Sequence, residues 1–244
     1  RVVRPTMIGA FVSGIGLYGV TSFVSLFLQV VTGASATLAG LLTVPNAVAI
    51  TLASIVSGRL IARTGNYKPY PIAGVALLTL GALLLATMND HTSRWEVAAR
   101  IFVAGMGMGQ IGPSMTIIVQ NAVEYRDLGV ATAGLSFIRS LGGSIGTAVL
   151  GAVYASQLNH LIPKYVGPEL MASVPDPSAL RGRPSVIHDL PPDVQAPVIH
   201  AFADAITHAM RVSIPILLVA LVAFAFIPRV PLRDRHDAPV HVLD

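Results

Sequence analysis

The chain contains no cysteine. This excludes a disulfide framework and any cysteine-ligated metal centre, and leaves the compartment open. Charge is also scarce. Only 11% of the 244 residues are Asp, Glu, Lys or Arg, against about 25% in soluble domains. There is no Asn-x-Ser/Thr sequon, so N-glycosylation has no acceptor. The seven histidines show no metal-binding spacing such as His-Glu-x-x-His. No Ser-His-Asp set has a scaffold to hold it, so no catalytic residue, metal or cofactor is expected, and the protein does not read as an enzyme. The chain starts at Arg1 without a methionine or a signal-peptide pattern, and so reads as a piece of something longer.

What is present is apolar. Hydrophobic residues make up 53% and the mean hydropathy is +0.69. Glycine (22) and proline (17) are plentiful, as they are in membrane helices. These features predict an all-α integral membrane protein with six transmembrane helices. The apolar runs cover 6–31, 36–62, 70–88, 95–122, 129–157 and 209–228. Each is long enough at about 1.5 Å per residue to approach or cross a hydrocarbon core of roughly 30 Å. A connection over 158–208 holds eight prolines between Pro163 and Pro197. Proline lacks the backbone donor, so most of this loop is not expected to be regular helix. Its last part, Val198 to Met210, has apolar residues at helical intervals and predicts a short extramembrane helix running into the sixth span. Its histidines, among them His188 and His200, read as solvated.

The net charge is +4 and the pI about 9.8. In a membrane protein this points to basic cytoplasmic loops, not to nucleic acid. With the N-terminus inside, that face carries nine basic residues: Arg1, Arg4, Arg59, Arg63, Lys68, Arg126, Arg229, Arg233 and Arg235. Arg94 and Arg100 fall on the other side, and Lys164, Arg181, Arg183 and Arg211 belong to the long loop or its edge, where the rule is weak. This bias places both termini in the cytoplasm and the long loop outside.

Residues 127–159 organise the rest. Ser136, Ser140, Ser144, Ala148 and Ala152 fall every fourth residue, and Gly142 and Gly146 form a GxxxG step beside them. Small residues let membrane helices approach closely, so this span is expected to press on a neighbour. It also holds one cation, Arg139. A charge inside a membrane is a functional candidate by default; the alternative is an arginine that snorkels to the interface or bonds neighbouring carbonyls. No carboxylate lies mid-span to pair with it.

Ser57 to Pro69 reads SGRLIARTGNYKP. It resembles the degenerate second copy of the cytoplasmic loop signature of the major facilitator superfamily, with Gly58, Leu60, Ala62, Arg63, Gly65 and Lys68 in comparable places. Gly129-Val-Ala-Thr-Ala-Gly134 and Arg139-Ser-Leu-Gly-Gly-Ser-Ile-Gly146 resemble the penultimate helix of that family's fourteen-span drug:proton antiporters. Gly105-Met-Gly-Met-Gly109 is similar too. The resemblance covers most of 1–230. It implies the C-terminal six-helix half of an exporter, with a cytoplasmic tail over 231–244. A missing N-terminal half of six or eight helices would carry the intact signature and the proton-coupling carboxylates.

Within that frame, Tyr18, Phe23 and Phe27 are candidates for an aromatic cavity wall, or for packing and lipid contact. Asn46 and Gln110 are polar groups expected to face a cavity or a neighbouring helix. Arg59, Arg63 and Lys68, next to Gly65, form either an ionic latch or simple topology signals. Gly107 to Gly112 matches GxGxxG, but inside an apolar span it cannot be the strand-to-helix turn that dinucleotide binding needs. With Pro113, Gly112 instead suggests a bendable helix. The resulting expectation is proton-gradient-driven efflux of amphipathic drugs across a bacterial plasma membrane. A facilitator of narrower substrate, or a truncated module that does not transport, are the alternatives.

Overall fold

A computed structural model describes residues 3–171, 180 and 184–227. The predicted tail over 231–244 lies outside these residues, as do Arg1, Arg181, Arg183, Arg229, Arg233 and Arg235. Every regular element described is helical. That follows from the composition, because lipid offers no partner for backbone N–H and C=O groups and a helix satisfies them internally.

The helices are α1 (Val3–Val30), α2 (Ala36–Leu42), α3 (Val44–Thr64), α4 (Pro69–Ala86), α5 (Arg94–Ala122), α6 (Leu128–Val166) and α7 (Pro192–Ala225). With α2 and α3 taken together, six segments are long and apolar enough to cross a membrane. Their ends follow local chemistry. Ser93 caps α5 through a reciprocal pair: its Oγ accepts from Glu96 N at 3.3 Å, and its own N donates to Glu96 Oε2 at 3.1 Å. Gly65 ends α3 in the left-handed region at φ 67°, where its lack of Cβ removes the penalty.

Three boundaries differ from the sequence reading. The run over 36–62 is broken at Thr43, and Pro45 lies in the first turn of α3, where its missing N–H costs nothing. Helix α6 continues past 157 to Val166, with Pro163 inside its last turn. Helix α7 begins at Pro192 and runs unbroken to Ala225, enclosing Pro197 and Pro215. Helix thus occupies both ends of the proline-rich connection. At about 1.5 Å per residue, α6 and α7 are near 58 and 51 Å long, well beyond a core of roughly 30 Å. They pack on each other and form a cap beyond the spans, into which Leu180, Ile187, Val194, Val198 and Phe202 are buried. A short 3-10 segment, Pro184–Asp189, docks on α1, where the His188 ring lies 3.3 Å from the Gln29 carbonyl oxygen.

Helix α5 is the hub, touching α3, α4, α1 and α6. Its glycines explain how. Gly105 and Gly109 face α3, at Asn46 and the Ile50 carbonyl. Gly107 faces α4, at Gly74 and Leu78 backbone. The GxGxxG match is therefore a two-sided packing surface in which a Cβ would meet backbone on either flank.

Pro113 lies inside α5 and cannot donate to the carbonyl of Gly109 four residues earlier. Ser54 Oγ on α3 donates to that oxygen at 2.8 Å. A side chain of one helix thus completes the backbone of another. Ser54→Ala should cost about 1 kcal/mol, the scale of an interhelical membrane hydrogen bond, in an SDS unfolding titration of the purified chain. Thr51→Ala, whose hydroxyl bonds only its own helix at Ala47 O, should leave the midpoint in place.

Candidate functional site

Helices α1, α5 and α6 are mutual neighbours, and together they present an accessible face. The α6 glycines fix the α1 contact. Gly142 lies on the backbone of Phe11, Gly146 on that of Ile15, and Gly14 of α1 lies on the Arg139 carbonyl and Gly143 N. The close approach expected of this span is therefore made by glycines. The stripe of Ser136, Ser140, Ser144, Ala148 and Ala152 is exposed and takes no part in that backbone contact.

Between α1 and α6 lies an open groove of about 510 Å³ lined by Tyr18, Ser140, Gly143, Ser144, Thr147 and Ala148. The Tyr18 ring rests on Gly143, where a Cβ would collide with it. Next to the groove, Arg139 reaches towards α5, with Nη1 3.6 Å from where a Cβ on Gly112 would stand. Arg139 is half-buried, and among the described residues its guanidinium has no ion-pair partner. It lies 11 residues into α6, a rise of about 16 Å from the start of that helix. On α5, Gln110 is half-buried and its amide donates to Met106 O at 3.2 Å on its own helix. Near the same end as the α6 N-terminus, Gln120 Nε2 lies 3.4 Å from Thr132 Oγ1, linking α5 to α6.

The three aromatics grouped from the sequence separate here. Tyr18 is 42% exposed on the groove, whereas Phe23 and Phe27 are buried. At about 100° per residue, Phe23 and Phe27 stand roughly 140° and 180° round the helix from Tyr18. Phe23 packs on Tyr154 of α6 at 5.5 Å between ring centroids, and Tyr154 on Phe202 of α7 at 6.2 Å. Phe23 and Phe27 thus belong to the core of this bundle. Asn46 is buried against Gly105, and its Oδ1 accepts no hydrogen bond among the described residues. It sits between α3 and α5, apart from the groove. At the far end of α3, Arg59, Arg63 and Gly65 are exposed, and Lys68 is half-buried at the start of α4.

The opposite end holds a polar cluster that the sequence did not reveal. His200 of α7 has Nδ1 3.2 Å from Asp90 Oδ2, in the turn between α4 and α5. Tyr165 at the end of α6 donates to Asp204 Oδ2 at 2.6 Å and meets the His200 ring edge-on at 4.7 Å. His188 and His200 are thus tied into the cap. His200 and Asp204 stand at i and i+4 on one helix, the only local signal available; Asp90 is more than a hundred residues away.

Comparison with known proteins adds the family. The profile described as Major Facilitator Superfamily matches residues 1–156. An uncharacterized MFS-type transporter of Mycobacterium tuberculosis is 36% identical over 228 residues, which is 93% of this chain and 32% of the relative. The multidrug transporter protein MdtP of Bacillus subtilis is 34% identical over 67% of this chain and 30% of its own length. A tetracycline resistance determinant of Streptomyces rimosus is 32% identical over 72% of this chain and 50% of its own. The chain therefore spans between about a third and a half of these relatives. In fold it is similar to a crystal structure of a bacterial homolog of the human lysosomal transporter Spinster, with a TM-score of 0.72, 18% identity, and coverage of 91% of this chain and 46% of that one. The sequence profile and the relatives agree with the six-span helical architecture, and the chain belongs to the Major Facilitator Superfamily, a family of membrane transporters and not of enzymes.

Proposed function

We propose that this chain is the second six-helix half of a proton-coupled exporter of amphipathic small molecules, working by alternating access. The observation that carries the reading is the polar groove between α1 and α6, with Arg139 at its edge. Tyr18, Ser140, Ser144 and Thr147 line the open groove, with half-buried Arg139 beside it, on helices that are otherwise largely apolar. Polar and charged side chains in a membrane belong on a bundle interior or a water-filled path, not in lipid. A second half docked over this face would turn the open groove into an enclosed one. In this reading that half brings the proton-coupling carboxylates, and the proton gradient supplies the energy. The names of the Bacillus and Streptomyces relatives support a drug-like substrate. The bias of basic residues supports cytoplasmic termini and an exterior cap, and the Mycobacterium, Bacillus and Streptomyces relatives support a bacterial inner membrane. The exposed Arg59 and Arg63 would then lie at the cytoplasmic end, where an ionic latch to the other half could form.

The test expresses the complete gene containing this chain in an efflux-deficient bacterium. Accumulation of structurally unrelated amphipathic dyes and antibiotics is then followed with and without a protonophore. Lowered accumulation of several classes, abolished by the protonophore, is the expected result. Protection against a single chemical class would indicate a facilitator of narrower substrate. No change for any compound, at verified membrane expression, would overturn the proposal.

A further inference from the structure

We propose that His200 is a proton-binding site that clamps the cap to the α4–α5 turn when charged and loosens that contact when neutral. The argument rests on which ring atom faces which group. Nδ1 lies 3.2 Å from Asp90 Oδ2. On the other edge of the ring, Nε2 lies 4.0 Å from Asp204 Oδ2. A neutral imidazole carries one N–H and one lone pair, so it can donate to only one of these carboxylates while turning its lone pair towards the other. The imidazolium carries two N–H groups: one faces Asp90 at 3.2 Å, and the ring's positive charge also stands 4.0 Å from Asp204 Oδ2.

The surrounding groups are set for that state. Asp90 also has Oδ1 3.7 Å from His91 Nε2 in the same turn, so two histidines share one carboxylate. Asp204 is held by the Tyr165 hydroxyl at 2.6 Å. That hydrogen bond, with burial and the Asp204 charge adding to it, holds the Tyr165 phenol above the usual tyrosine range. Tyr165 therefore remains a donor to Asp204 whether the His200 ring is charged or neutral. Lys164, the neighbouring cation on α6, has its ammonium 5.6 Å from the Tyr165 ring centroid. The Arg94 guanidinium at the start of α5 is committed elsewhere, donating to Thr32 O at 2.7 Å.

The clamp joins three elements otherwise separate in sequence: the α4–α5 turn through Asp90, the end of α6 through Tyr165, and α7 through His200 and Asp204. The pair that crosses between elements is His200 with Asp90; it is ionic only when the ring carries its second proton, and the neutral ring leaves a single uncharged hydrogen bond there, so the clamp weakens as that proton leaves. In the orientation proposed above the cap meets the exterior, and the proton arrives from that side.

The absence of cysteine makes the test direct. Spin labels are placed at Thr87→Cys and Ala196→Cys, exposed positions on either side of the contact, in the complete protein that contains this chain, with any cysteine outside it replaced, reconstituted in lipid nanodiscs. Pulsed electron spin distances are recorded at pH 5.5 and pH 8. The expected result is a narrow distribution at pH 5.5 that broadens at pH 8. With His200→Gln the distribution should be broad at both, and Asp90→Asn should also abolish the difference while leaving the histidine in place. A second label pair within α7, Ala196→Cys with Arg211→Cys, should stay narrow throughout, showing that the helix itself is intact. Identical distributions at both pH values in the unaltered background would overturn the clamp. So would a pH response that survives in His200→Gln or Asp90→Asn, or one that appears equally in the α7 pair.

Discussion

Gly142→Val should lower the unfolding midpoint of the purified chain by the equivalent of about 3 kcal/mol, the upper part of the range for overpacked sites. At Gly142 a Cβ would meet the carbonyl, C and Cα of Phe11, all backbone atoms of α1. A flexible side chain could move aside; a helix backbone moves only if the whole α1–α6 contact opens. That contact includes Gly14 on Arg139 O and Gly146 on Ile15, so separating the helices at one glycine loosens all three. Membrane helices gain little from apolar contact with each other, since lipid offers the same, and close packing is what remains to be lost. Gly151→Val is the control. It lies on the same helix with nothing within 4 Å of a built Cβ, so heat or SDS titration should find it unchanged. An equal loss at Gly151 would mean that valine harms α6 wherever it stands.

Arg139→Ala is expected to reduce export by the complete protein about tenfold or more at equal expression. A hydrogen bond to a charged group contributes about 1.5–3 kcal/mol, and each 1.4 kcal/mol is roughly a factor of ten. The cation stands within its span, half-buried against α5 at Gly112. The described part of α6 that borders it holds no carboxylate from Leu128 to Val166. Holding a charge there is costly, so a group with no task would be the easiest to lose. Arg139→Lys separates two roles. If only the charge matters, lysine retains most of the export; if the planar fork is used, it does not. Resistance unchanged in Arg139→Ala, with the protein present in the membrane, would remove Arg139 from the mechanism.

Hydropathy made the six spans legible because lipid imposes the same requirement on every one of them. It did not find helix ends. Polar Gln157, Asn159 and His160 lower the hydropathy without disfavouring helix, so α6 outlasts its apolar run until Gly167 at φ 77°. Pro191-Pro192 reads as a break, yet proline in the first turn of a helix is well placed, and α7 starts there. The face of α6 was half legible. The glycine step marked a tight contact, but whether the serines shared it depended on where α1 lay. The aromatics on α1 divided for a related reason: rotation about the helix axis takes Tyr18 to the groove and Phe23 and Phe27 to the core, the packing alternative for those two. The cap cluster was out of reach, because Asp90 meets His200 only once α4, α5 and α7 have packed.

The length of α6 and α7 has a mechanical consequence. Both run from the spans into the cap without a break, and there they remain in contact with each other. A rod held in that way transmits tilt. Any leaning of the pair inside the membrane is carried to its far end and enlarged with distance from the pivot, as at the tip of a mast. A reporter attached to the cap would therefore follow rocking of the buried bundle without a probe placed in lipid.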